Sequence, residues 1–132
     1  MGPKVVRIEG VKVVAEQAGL RFAIFELLWR DFLAHLLDGA SLDTFPARPI
    51  SHITREMERR TERQYPDETT VRRAVNRLQA DIEETVKKRL GLPIDRDDIV
   101  QTVRWSAQAD ENFGYRINPF TVAARPYQAD LG

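Results

Sequence analysis

The chain contains no cysteine. That excludes disulfides and thiolate zinc sites, and it suits a reducing cytoplasm. No apolar run approaches the ~20 residues a membrane helix needs, so no membrane partner is expected. The opening Met1-Gly2-Pro3-Lys4 lacks the apolar centre of a signal peptide. Histidine is scarce. His35 and His52 are the only two, and two isolated imidazoles without a carboxylate constellation make a poor metal site. There is no glycine-rich phosphate loop, no G-x-S-x-G elbow and no cysteine nucleophile. Asp97-Asp98 and Glu83-Glu84 are adjacent acids whose side chains diverge on a strand or helix, so neither reads as an acid/base dyad. No catalysis and no cofactor are expected. An excess of charge of one sign is also missing, because 20 Lys/Arg balance 20 Asp/Glu.

What remains is enough for a single globular domain. A length of 132 residues falls in the size range of one domain, and 42% hydrophobic residues can fill a core without staples. The charges are unevenly spread. Residues 48–89 carry eleven Lys/Arg against eight Asp/Glu, whereas residues 95–132 carry four against six. This pattern predicts a modest basic stripe on a neutral body, not a strong non-specific polyanion binder.

Residues 5–14 hold two β-branched runs around Glu9-Gly10 and predict a short hairpin. Phe25, Leu28, Trp29, Phe32 and Leu36 fall on one face of a first helix over residues 21–37. Pro46 and Pro49 mark residues 40–50 as a loop. A second helix is expected to start near Ser51, a good N-cap, and to run toward Arg63 with Ile50, Ile53 and Met57 as its apolar edge. The third helix spans residues 68–90, with Gly91 as its stop. Val71, Val75, Leu78, Ile82 and Val86 form its apolar seam. At ~100° per residue, Arg73, Asn76, Ala80, Glu84 and Lys87 then point almost opposite. Alternation predicts strands at residues 99–104 and 113–117, joined by a long polar tip. The domain is expected to cover residues 1–122, with a mobile tail over 123–132.

Three local patterns, in the right order, resemble one family. Phe22-Ala23-Ile24-Phe25-Glu26-Leu27-Leu28-Trp29 resembles the F-x-L-L first helix of OmpR/PhoB-like winged-helix domains, the C-terminal effector domains of response regulators. Thr70-Val71-Arg72-Arg73-Ala74-Val75-Asn76-Arg77-Leu78-Gln79 resembles their recognition-helix motif, T-V-D-V-H-I-x-R-L-R. Ile99-Val100-Gln101-Thr102-Val103-Arg104, followed by Gly114-Tyr115-Arg116-Ile117, resembles their wing, I-x-T-V-R then G-Y-R-L. The likeness implies an α+β winged helix-turn-helix fold: N-terminal hairpin, three helices, C-terminal hairpin wing. It further implies a transcription regulator that binds double-stranded DNA. Helix 68–90 would lie in the major groove, with the wing at 99–117 on the adjacent backbone or minor groove.

Carried over residue by residue, the motif arginine falls on Arg77, and the wing threonine and arginine fall on Thr102 and Arg104. Where the family has Asp and His, this chain has Arg72 and Ala74. Where it ends the motif in arginine, this chain has Gln79, and Thr69 stands where an arginine often precedes T-V. Nine residues, including Asp110 and Glu111, replace the usual two-residue wing turn. RNA polymerase, through the loop at Tyr65-Pro66, is a further partner the likeness allows, and the near-neutral charge makes tandem or dimeric binding, with a homodimer partner, a reasonable expectation.

Arg72, Arg73, Asn76 and Arg77 form the leading candidate site, because Arg can read guanine and Asn adenine through paired hydrogen bonds. The bland alternative is a solvated helix face. Arg55 and Arg59, with Arg60 and Arg63, suit phosphate contacts equally as well as ion pairs with Glu56, Glu58 and Glu62. Phe113, Tyr115 and Trp29 read as core, and Trp105 as either a packing anchor or an exposed contact. One rival is a winged-helix protein-interaction module without DNA binding, favoured by the zero net charge and the acidic insertion. The other is a small enzyme or ligand-binding domain.

Overall fold

The computed structural model describes residues 5–8, 11–15, 19–104, 113–122 and 129–131. Strand β1 (Val5–Ile8) and strand β2 (Val11–Ala15) pair antiparallel, as their β-branched runs predict. Helix α1 (Leu20–Leu37), strand β3 (Arg48–Pro49), helix α2 (Ile50–Thr61) and helix α3 (Thr69–Leu90) follow. Strands β4 (Val100–Arg104), β5 (Phe113–Ile117) and β6 (Ala129–Leu131) complete the order. The fold is α+β, with three helices and two small antiparallel sheets, ordered β2-β1-β6 and β3-β5-β4.

Helix α1 is buried more completely than one apolar face requires. Phe22, Ile24 and Leu27 lie in the core beside Phe25, Leu28, Trp29 and Phe32. The helix is enclosed because α2, α3 and β5 all pack against it. Its rings stack along the axis, Phe25 on Trp29 at 6.5 Å and Trp29 on Phe32 at 5.2 Å. Such contacts stabilise by about 0.5–1.5 kcal/mol beyond the area they bury.

Two element boundaries differ from the sequence reading. Helix α2 starts at Ile50, after Pro49, so Ser51 lies inside the first turn and does not cap it. Helix α3 starts at Thr69. Its first-turn amide is satisfied from outside the helix, by Asp67 Oδ1 accepting from the Thr69 N–H at 2.8 Å. Gly91 ends α3 as expected, with φ 65° in the left-handed region that glycine adopts without a Cβ clash.

The segment read as a plain loop carries a short 3-10 turn at Leu42–Thr44 and strand β3. β3 is held at both ends of its contact. Arg48 and Pro49 pair with Tyr115 and Gly114 of β5. The Arg48 guanidinium grips both oxygens of Asp31 on α1, Nε to Oδ2 and Nη2 to Oδ1, each at 2.7 Å. That Asp31 grip holds Arg48 above its already high ordinary pKa. Residues 105–112, which include the expected wing tip and Trp105, lie outside the described residues. Of the expected tail, residues 129–131 pair with β1, and residues 123–128 lie outside the described residues.

Candidate nucleic-acid interface

The candidate site is built on α3. Val71, Val75 and Leu78 are fully buried, and Ile82 and Val86 nearly so. They seat the helix against α1, α2 and β2. Burying five such side chains stabilises the packing by ~1.5–3 kcal/mol each relative to exposure. The opposite face is left outward: Arg72, Arg73, Asn76, Arg77, Ala80, Glu84 and Lys87 are all exposed. The helical rotation anticipated from the spacing is therefore the rotation observed.

Charge on that outward face changes along the helix. In the C-terminal half, Lys88 pairs with Glu84 at 2.9 Å and Lys87 with Glu83 at 3.9 Å. These i,i+4 pairs neutralise one another. In the N-terminal half, Arg73 and Arg77 form no ion pair with any described residue. Positive charge without an ion pair thus stands at Arg73 and Arg77, with Asp67, just before the helix, close enough to feel both Arg72 and Arg73.

The hairpin of β4 and β5 adjoins this face. Phe113, at the start of β5, lies under two guanidiniums, Arg72 from α3 at 5.9 Å and Arg104 from the end of β4 at 5.4 Å from the ring centroid. Phe113 in turn meets Tyr115 edge-on at 5.6 Å. Both aromatics are buried, in keeping with a packing role. Burial pushes the Tyr115 hydroxyl up to about 12, although Arg72, Arg104 and Arg96 pull it the other way.

Arg96 was not singled out from the sequence. It sits between α3 and β4, and its Nη2 donates to the Asn76 carbonyl at 2.8 Å. No periodic pattern marks a loop arginine, so only the chain's return past α3 reveals it.

Gln79, which stands where the family motif ends in arginine, is buried. Its Nε2 donates to the Val100 carbonyl at 2.8 Å and to Thr102 Oγ1 at 3.1 Å, with Asp97 Oδ1 at 3.3 Å. Asp97 also accepts from the Thr102 N–H, and Asn118 Nδ2 donates to the Asp97 carbonyl at 3.1 Å. An arginine here would bring a charge into this buried network, whereas the neutral amide ties α3 to the base of the hairpin. Thr102 accordingly lies half-buried with its hydroxyl oxygen turned to Gln79.

The arginines of α2 divide. Arg60 turns inward, to Glu26 at 3.1 Å and the Ala23 carbonyl at 3.4 Å. Arg59 is exposed and pairs with Glu56, whose carboxyl is held below its usual range by that contact. Arg55 and Arg63 are exposed without a partner among the described residues. No hydrogen bond, ion pair or ring contact joins Arg55 or Arg59 to the arginines of α3. Arg116 on β5 is also turned in, donating to Gln101 Oε1 and the Phe45 carbonyl, and burial lowers its pKa.

The histidines adjoin no residue of α3 in the depression they share. His35 and His52 line an open depression with Asp31, Ala47 and the two residues of β3. Among the described residues no group of three or more His, Cys, Asp or Glu side chains is arranged to hold a metal ion. No helix is long and apolar enough to cross a membrane. No family model, no curated protein and no solved structure matches the chain.

Proposed function

We propose that the chain is a winged-helix domain of a transcription regulator and binds double-stranded DNA sequence-specifically. In this reading α3 enters the major groove and the β4–β5 hairpin flanks it on the backbone or minor groove. Arg73, Asn76 and Arg77 meet base edges. Phosphate contacts beside them set the register.

The element order α1, β3, α2, α3, β4, β5, with sheet order β3-β5-β4, is compatible with a winged helix. The observation that carries the proposal is the division of α3. Its seam is closed in the core while Arg73, Asn76 and Arg77 stand exposed, the arginines without an ion pair among the described residues. Guanidinium and carboxamide groups are the side chains that pair with guanine and adenine edges in the major groove. The neutral total charge limits long-range attraction, so affinity rests on this local patch.

Selection of bound duplexes from a randomised pool at low salt tests the reading. The expected result is enrichment of one motif, with an affinity that falls as salt rises. If no duplex is retained and no motif emerges, DNA binding is excluded and a protein-interaction role takes its place.

A further inference from the structure

Arg72 and Arg104 meet at the Phe113 ring from two separate stretches of chain, and Arg96, from a third, is tied to α3 about one turn beyond Arg72. We propose that they form a seat for one backbone phosphodiester group where α3 meets the hairpin, distinct from the base-reading side chains Arg73, Asn76 and Arg77. The proposal deepens the DNA-binding reading and rests on it.

The buried ring of Phe113 holds two of the three cations, with Arg72 at 5.9 Å and Arg104 at 5.4 Å from its centroid. Arg96 is fixed by its hydrogen bond to the Asn76 carbonyl, one helical turn beyond Arg72. All three act on the hydroxyl of Tyr115, which places them in one neighbourhood. Arg72 and Arg96 each keep further N–H donors, in the planar fork that matches a phosphate. Side chains already held by a ring or a carbonyl lose little freedom when an anion arrives.

Among the described residues, the two carboxylates beside this group already accept hydrogen bonds. Asp67 accepts from the Thr69 amide, and Asp97 accepts from Thr102 and Gln79. Neither forms an ion pair with Arg72 or Arg96. An arginine resting on a protein ring is also held back from the floor of the groove. A phosphate at its rim is therefore the better match for Arg72 than a base edge.

The test compares the wild type with Arg72→Gln and Arg96→Gln on a random-sequence duplex and on the selected site, with melting curves confirming that both variants fold. Each variant is expected to lose about one counterion from the salt dependence. Its affinity deficit at 50 mM salt should then exceed that at 200 mM by about 3.5-fold. The preferred sequence should be unchanged. An unaltered salt slope, or a changed preference with Arg72→Gln, overturns the seat while leaving DNA binding intact. If the wild type binds no duplex, the DNA reading itself fails. In that case, titration with inorganic pyrophosphate still decides: shifts at the Arg72 and Arg96 Nε–H resonances support the anion seat, and their absence overturns it.

Discussion

At the scale of single residues, burial and hydrogen bonding explain which polar groups are structural and which are available. Gln79, Arg60 and Arg116 all carry polar heads, yet each spends them inside the fold. Arg73 and Arg77 do not. Tyr115 gives the clearest titration behaviour. Its hydroxyl is held near 12 by burial, whereas an unfolded tyrosine ionises near 10. The native state therefore keeps a proton that the unfolded chain releases. Tyr115's contribution to stability is full below pH ~10 and is lost as pH rises toward 12. Ultraviolet titration of the folded protein should show one tyrosine ionising only as pH approaches 12, and Tyr115→Phe should remove that step. A titration curve that Tyr115→Phe leaves unchanged in this range would contradict its assigned burial.

At the scale of elements, periodic features were legible and pairwise ones were not. The four-residue spacing of Val71, Val75, Leu78, Ile82 and Val86 identified the buried side of α3, and its arginine face followed from the geometry of the helix. α1 was legible as a helix, but the burial of Phe22, Ile24 and Leu27 beside its predicted face was not, since that depends on how many neighbours pack against it. β3 escaped the sequence reading altogether. It has two residues, one of them proline, and exists only because β5 and Asp31 hold it. The Ser51 cap failed because Pro49 already sets the chain for a helix that begins at Ile50. Arg96 had no signal at all, since its placement depends on the return of the chain past α3. The pairing of β3 with β5 also leaves no room at Gly114, where an added Cβ would collide with the Arg48 carbonyl. Gly114→Ala must displace backbone and is expected to cost about 1–3 kcal/mol in urea unfolding. An unchanged unfolding midpoint would show that β3 is not packed as described.

At the scale of the whole molecule, composition was a poor guide to the surface. The chain is neutral in sum, but ion pairs remove charge unevenly. Glu83 and Glu84 balance Lys87 and Lys88, Asp81 balances Arg21, and Glu26 balances Arg60. Among the cations these pairs leave over are Arg73 and Arg77 in the N-terminal half of α3, with Arg55 and Arg63 on and just after α2. That residue of positive charge, and not the total, is what a polyanion would meet. The proposed domain should accordingly bind DNA with few phosphate contacts and modest salt dependence, and take its discrimination from two or three side chains.

The most direct measurement is the affinity of Arg77→Ala for the selected duplex and for every single-base variant of it. Removal of a base-reading arginine should weaken binding by about 1–3 kcal/mol and flatten preference at one position while the others keep theirs. Full affinity with an undisturbed preference profile would contradict the placement of α3 in the groove.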